Sequence, residues 1–97
     1  MREFMLLMHD DTLSPSDDSA WEAYFSALRA SGVFDGGSSI GGGQAVRKTN
    51  PAGPVSLHIN GFIRLRADSE SAAMKWVESN PVFLAGGTVE VRELLRD

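Results

Sequence analysis

The chain has 97 residues, 42% of them hydrophobic and 23% charged, with nine Lys+Arg against thirteen Asp+Glu for a net charge of −4. That length makes residues 1–97 a single domain with enough apolar material for one core, because two halves would each fall near the lower size limit for folding alone. The composition excludes a wholly disordered chain, and the acidic balance argues against a nucleic-acid binder, whose phosphate contacts need a basic excess or stripe.

Cysteine is absent. Disulfides, thiolate nucleophiles, zinc–thiolate sites and iron–sulfur clusters are therefore excluded, and a cytoplasmic location is expected. The run Phe4-Met5-Leu6-Leu7-Met8 is too short for a signal-peptide core and has an acidic neighbour in Glu3. No stretch approaches the ~20 apolar residues of a membrane span, so no membrane partner is expected.

The first run is apolar on both parities and ends in the turn cluster His9-Asp10-Asp11. This predicts a strand buried on both faces, hence a central one. Ser14 or Ser16 is placed to cap a following helix, with Pro15 suited to its first turn and Asp17 and Asp18 at the positive end of its dipole. From Ser19 to Ala30 the spacing turns helical, with Trp21, Phe25 and Leu28 on one stripe and Tyr24 beside it. The Trp21/Tyr24/Phe25 cluster reads as core packing. Gly32 stands where a left-handed cap is wanted.

Asp35 to Gly43 is rich in glycine, and Ala45-Val46-Arg47-Lys48 then resumes an extended pattern. This predicts an edge strand with a bulge. Asn50-Pro51-Ala52-Gly53-Pro54 is the strongest turn signal. Over Val55 to Ala67, Leu57, Ile59, Ile63 and Leu65 alternate with His58, Asn60, Phe62, Arg64 and Arg66, the period of a strand. Gly61, on the apolar parity, is read as a close approach of a helix. Asp68-Ser69-Glu70-Ser71 opens a second helix with Ala72, Ala73, Trp76 and Val77 as its inner stripe, ended by Asn80-Pro81. Gly86-Gly87 turns the chain into a last strand, Thr88 to Leu94. The order β-α-β-β-α-β is the ferredoxin-like pattern: α+β, a four-stranded antiparallel sheet with two helices on one face.

Parity then assigns the two faces. Phe4, Leu6, Met8, Leu57, Ile59, Ile63, Leu65, Val89 and Val91 should meet the helices. Met5, Leu7, His9, His58, Asn60, Phe62, Arg64, Arg66, Glu90, Arg92 and Leu94 should lie on the face the helices leave bare. Met5, Leu7 and Phe62 at its centre predict a covering partner. A second copy, sheet face to sheet face, is the economical one, with a ligand cavity between the sheets.

His9, His58 and Asp11 are the candidate catalytic residues, since a carboxylate can orient an imidazole for proton transfer. A His9–Asp11 pair is favoured over His9–Asp10, because neighbours on a strand point to opposite faces. His58, Arg64, Glu90 and Arg92 are the candidate ligand-binding set, with forked guanidinium donors suited to a carboxylate or phenolate. Glu90 pairing with an arginine would make the same set an interface ion pair. Two histidines are too few for a metal centre without Asp10, Asp11 or Glu90, and neither metal nor cofactor is expected. The glycine run lacks the Lys-Ser/Thr and the following helix of a phosphate loop. No Gly-x-Ser-x-Gly elbow occurs. Asn60-Gly61-Phe62-Ile63 has one aromatic of an RNA-recognition sheet but lacks the second, and the charge is wrong.

Glu3-Phe4-Met5-Leu6-Leu7-Met8 and Gly41-Gly42-Gly43-Gln44-Ala45-Val46-Arg47 resemble the opening half of the YCII-related, DGPF-type domain family. Ala52-Gly53-Pro54-Val55 sits where that family has Asp-Gly-Pro-Phe, so Ala52 and Val55 depart from the motif. Asn60-Gly61-Phe62-Ile63 and Ala67-Asp68-Ser69 are similar to its Gly-Gly-Phe strand and its helix start. Asn80-Pro81-Val82, Gly86 and Val89-Glu90-Val91-Arg92-Glu93-Leu94 resemble its closing stretch, the most specific part. The charged stretch after the motif is shortened to Ser56-Leu57-His58-Ile59, and no histidine stands at the first helix start, where Ser19-Ala20-Trp21 lie. The resemblance implies a ferredoxin-like protomer that dimerises into an α+β barrel. The family's biochemical role is mostly unassigned, with His/Asp chemistry ascribed to some members and dehalogenation-type pathways on aromatic compounds to a few.

Three functional readings follow. The first is a homodimeric protein binding a small anionic or aromatic ligand between its sheets. The second is an enzyme with His58 or His9 as general base. The third is a structural or partner-binding module.

Overall fold

The computed structural model describes residues 1–15 and 17–96. In chain order they form β1 (Arg2–His9), α1 (Asp18–Ser31), β2 (Phe34–Ser39), β3 (Ile59–Ala67), α2 (Glu70–Glu78), α3 (Pro81–Leu84) and β4 (Val89–Leu94). The strands make one sheet in the order β2-β3-β1-β4, with every neighbouring pair antiparallel. This is an α+β arrangement consistent with the ferredoxin-like pattern.

β1 is central, which accounts for its unbroken apolar run. Phe4, Leu6 and Met8 meet Ile63, Leu65 and Ala67 of β3 in one buried cluster, closed by Tyr24 and Leu28 of α1, Ala73 and Val77 of α2, and Val82 of α3. The helices therefore cover one face, the parity expected from the sequence. Val89 and Val91 pack against the same cluster. Each fully buried Leu or Phe contributes about 1.5–3 kcal/mol.

Asp17 caps α1, its Oδ1 accepting from Ala20 N–H at 2.7 Å. Ser14 does not cap it, and its N–H goes to the Ala85 carbonyl instead; the capping role considered for Ser16 lies outside the described residues. Gly32, at φ 79°, ends the helix as expected and donates to the Arg29 carbonyl. Ser69 caps α2. The sequence predicts only a stop at Asn80-Pro81. The structure adds the single turn α3, because fully buried Asn80 accepts from Val82 N–H at 2.9 Å and Pro81 takes the first helical position.

The predicted edge strand at Ala45–Lys48 is displaced. The strand that pairs with β3 is Phe34–Ser39, inside the glycine-rich segment. Glycine is what permits this: a Cβ on Gly37 would lie 2.6 Å from the Phe62 carbonyl oxygen. The strand predicted to begin at Val55 begins instead at Ile59. Turn hydrogen bonds from Leu57 N–H to Val55 and from Ile59 N–H to Ser56 occupy that stretch, and the His58 carbonyl accepts from Asp10 N–H, just past β1, at 2.7 Å. Leu57 is thus 66% exposed rather than core-facing, and His58 precedes β3. Gly61 makes room for the Met8 side chain, not a helix: a Cβ there would sit 3.1 Å from Met8 Cε.

Candidate functional site

The bare sheet face is ordered by register. One row across it reads Ser38–Phe62–Leu7–Glu90, and the next reads Arg64–Met5–Arg92. Met5, Leu7 and Phe62 are half-buried, forming an apolar strip flanked by charge. Arg64 lies 3.5 Å from Glu3, which also holds Arg96. Arg64 Nε is buried and makes no hydrogen bond to any described residue.

His9 does not pair with Asp11. Its Nε2 lies 2.6 Å from Glu90 Oε2, because β4 runs beside β1 and sets Glu90 diagonally across from His9 on the same face. The His9 hydrogen bond holds the Glu90 carboxyl below the ordinary carboxylate range, with burial opposing it and Arg92 adding attraction. Arg92 reaches Glu90 at 3.6 Å. Asp11 turns the other way: Oδ2 accepts from the Thr88 hydroxyl at 2.6 Å and Oδ1 from Thr88 N–H at 2.8 Å. Those bonds lower its pKa and tie the turn after β1 to the start of β4.

His58, expected beside Arg64 on one strand face, lies in a turn and is exposed. Its ring meets His9 edge-on, with centroids 5.1 Å apart. The two histidines and Glu90 therefore form one chain of contacts at the end of the sheet, with Arg92 joined through Glu90. Arg64 stands apart from them, engaged with Glu3. No group of three or more His, Cys, Asp or Glu able to hold a metal ion occurs among the described residues.

A cavity lies elsewhere, between α1 and the β2–β3 side of the sheet. Its volume is about 590 Å³. Trp21 and Phe25 from α1 and Phe34 from β2 supply aromatic walls; Met8, Gly61 and Ile63 line its sheet side. His9, Asp10, Ser38 and Asn60 border it with polar groups. Trp21 and Phe25 are stacked at 5.6 Å, and Phe25 meets Phe34 edge-on at 5.6 Å. Arg29 lies 5.8 Å over both phenylalanine rings, bringing a cation to the aromatic wall.

Sequence reasoning assigned Trp21, Tyr24 and Phe25 to the core. Tyr24 is core, its hydroxyl donating to the Trp76 carbonyl at 2.7 Å and its pKa raised by burial. Trp21 and Phe25 are only half-buried. The signal was the width of the stripe, since four bulky residues on one helix exceed what a glycine-bearing strand beneath can cover. Of the predicted site residues, His9 and Phe62 border the cavity; His58, Asp11, Arg64, Glu90 and Arg92 do not.

No helix among the described residues is long and apolar enough to cross a membrane. The chain matches no protein-family model, and comparison with curated proteins finds no similar one.

Proposed function

We propose that this chain is a small homodimeric protein of the YCII-related, DGPF-type kind that binds a small aromatic or anionic ligand. The observation that carries the reading is the cavity beneath α1. Its volume of about 590 Å³ falls in the range of small-molecule sites, and it combines apolar walls with a few polar groups. Stacked Trp21 and Phe25 suit a planar ring, and Arg29 suits an anionic substituent on it. The dimer is supported by Met5, Leu7 and Phe62, which no helix covers, and a cysteine-free composition fits the cytoplasm. A ligand seat between the two sheets is supported by Arg64 Nε, a buried donor without an acceptor among the described residues.

Titration with benzoate- and phenolate-type compounds, followed by tryptophan fluorescence, should give saturable binding. Phe34→Ala and Arg29→Ala should each weaken it at least tenfold if the ligand lies under α1. His58→Ala and Arg64→Ala should do so if it lies between the sheets. Absence of saturable binding, or binding indifferent to all four changes, sinks the proposal.

A catalytic reading is favoured by one contact. Ionised Glu90 can only accept, so the His9 Nε2 facing it is the donor, and the contact fixes the ring with its other nitrogen turned away from the carboxylate and open to a substrate proton. Deuterium exchange from solvent into small aromatic or acidic carbon acids would reveal that activity. His9→Gln should abolish it, and exchange at the parent rate in that variant rejects His9 as the base.

A further inference from the structure

The loop of residues 40–57 leaves the sheet at Ile40, whose N–H donates to the Asn60 carbonyl at 3.0 Å, and rejoins it at β3. All of its residues are exposed except half-buried Ala52 and Val55. From 41 to 54 its backbone makes no hydrogen bond among the described residues. So long a connection without structure of its own is uncommon in a compact domain. It also enlarges the molecule: the Cα radius of gyration is 14.8 Å, against about 12.5 Å for a compact domain of this length. The Cα extents are 46 × 38 × 18 Å. The shortest is the thickness of one sheet and one helix layer.

Within the loop, residues 44–48 have the extended, partly apolar pattern of a strand, and Val46 is 86% exposed. Among the described residues they pair with no strand. The outer edge of β2, at the root of the loop, is interrupted by Gly36 at φ 105° and by an irregular register between Phe34 and Gly37. The other free edge, β4, lies across β3 and β1 at the far side of the sheet. β4 pairs with β1 in unbroken register from Glu3↔Leu94 to Met8↔Val89, and its outer side pairs with no strand among the described residues. A regular, uncovered edge of this kind is a template for another strand. On β4, Glu90 is held by His9 and Arg92 and Glu93 by Arg2, so the match rests on backbone pairing and not on charge.

We propose that residues 44–48 of each protomer add a strand to the β4 edge of a second copy. This rests on the homodimer reading above, and a two-fold axis makes the exchange reciprocal. An unsatisfied backbone on one copy then meets an unsatisfied edge on the other.

The test uses the full chain, with light scattering after size exclusion and amide hydrogen exchange at two protein concentrations. Amides of 44–48 should exchange slowly in the dimer and freely once dilution separates it. Val46→Pro removes an N–H donor at an exposed site where the fold does not depend on it. That variant should raise the dimer dissociation constant at least tenfold with an unchanged thermal midpoint of the monomer. A dimer whose 44–48 amides exchange freely, and which Val46→Pro leaves as tight, overturns the strand exchange while the dimer stands. A monomer at every concentration overturns both.

Discussion

At the scale of single residues, two positions carry consequences that side-chain type alone does not reveal. Gly37 stands where β2 comes closest to β3, with no room for a Cβ beside the Phe62 carbonyl. Gly37→Ala must push the strands apart, at a cost of about 1–3 kcal/mol. Urea unfolding should show that loss as a lower midpoint, and an unchanged midpoint would refute the close packing. The second position is Asp11. Its carboxyl is lowered by the Thr88 hydroxyl and N–H, as Glu90 is by His9 and Glu93 by Arg2. Folded values below the unfolded ones mean the stabilisation is complete above about pH 4 to 4.5, the unfolded carboxylate range. It is lost as pH falls through the lower folded values. Asp11→Asn should therefore flatten the acid side of the profile of thermal midpoint against pH. A parent-like acid slope in that variant would show that the Thr88 bonds contribute nothing.

At the scale of elements, α1 has two kinds of inner residue. Leu28 is fully buried, while Trp21 and Phe25 face the cavity. Leu28→Ala should cost about 2–5 kcal/mol, measured by chemical denaturation. Phe25→Ala should cost less and act mainly on ligand affinity. Equal destabilisation by the two would mean the aromatic pair is core after all. The strands and helices were legible because their periods are strong: the double-parity run of β1, the alternation of β3 and the stripes of α1 and α2. β2 was misread because its sequence, Phe34-Asp35-Gly36-Gly37-Ser38-Ser39, has almost no side chains to alternate. Its pairing comes from backbone proximity to β3, a nonlocal cause that local pattern does not carry.

At the scale of the whole molecule, the proposed homodimer turns on the bare sheet face. Phe62 lies beside Leu7 in register, on the side opposite the helices. Phe62→Asp should split a dimer of about twice 10.5 kDa into monomers on light scattering, because a buried unpaired charge costs several kcal/mol. The protomer's circular dichroism should be unchanged. A variant that remains a dimer rules out this face as the interface.

Parity and periodicity in the sequence were enough to determine the central strand, both main helices, the covered face and the uncovered one, since each depends on residues close in the chain. The glycine cap at Gly32 and the helix stop at Asn80-Pro81 are local in the same way. The site depended on neighbours far apart in sequence. His9 found Glu90 instead of Asp11 because β4 returns beside β1, and His58 left the strand face because turn bonds occupy residues 55–59. The cavity beneath α1 is walled by Trp21 and Phe25 of α1, Phe34 of β2 and Ile63 of β3, residues far apart in the chain. Such space is a property of how two layers meet, and only the tertiary structure decides it.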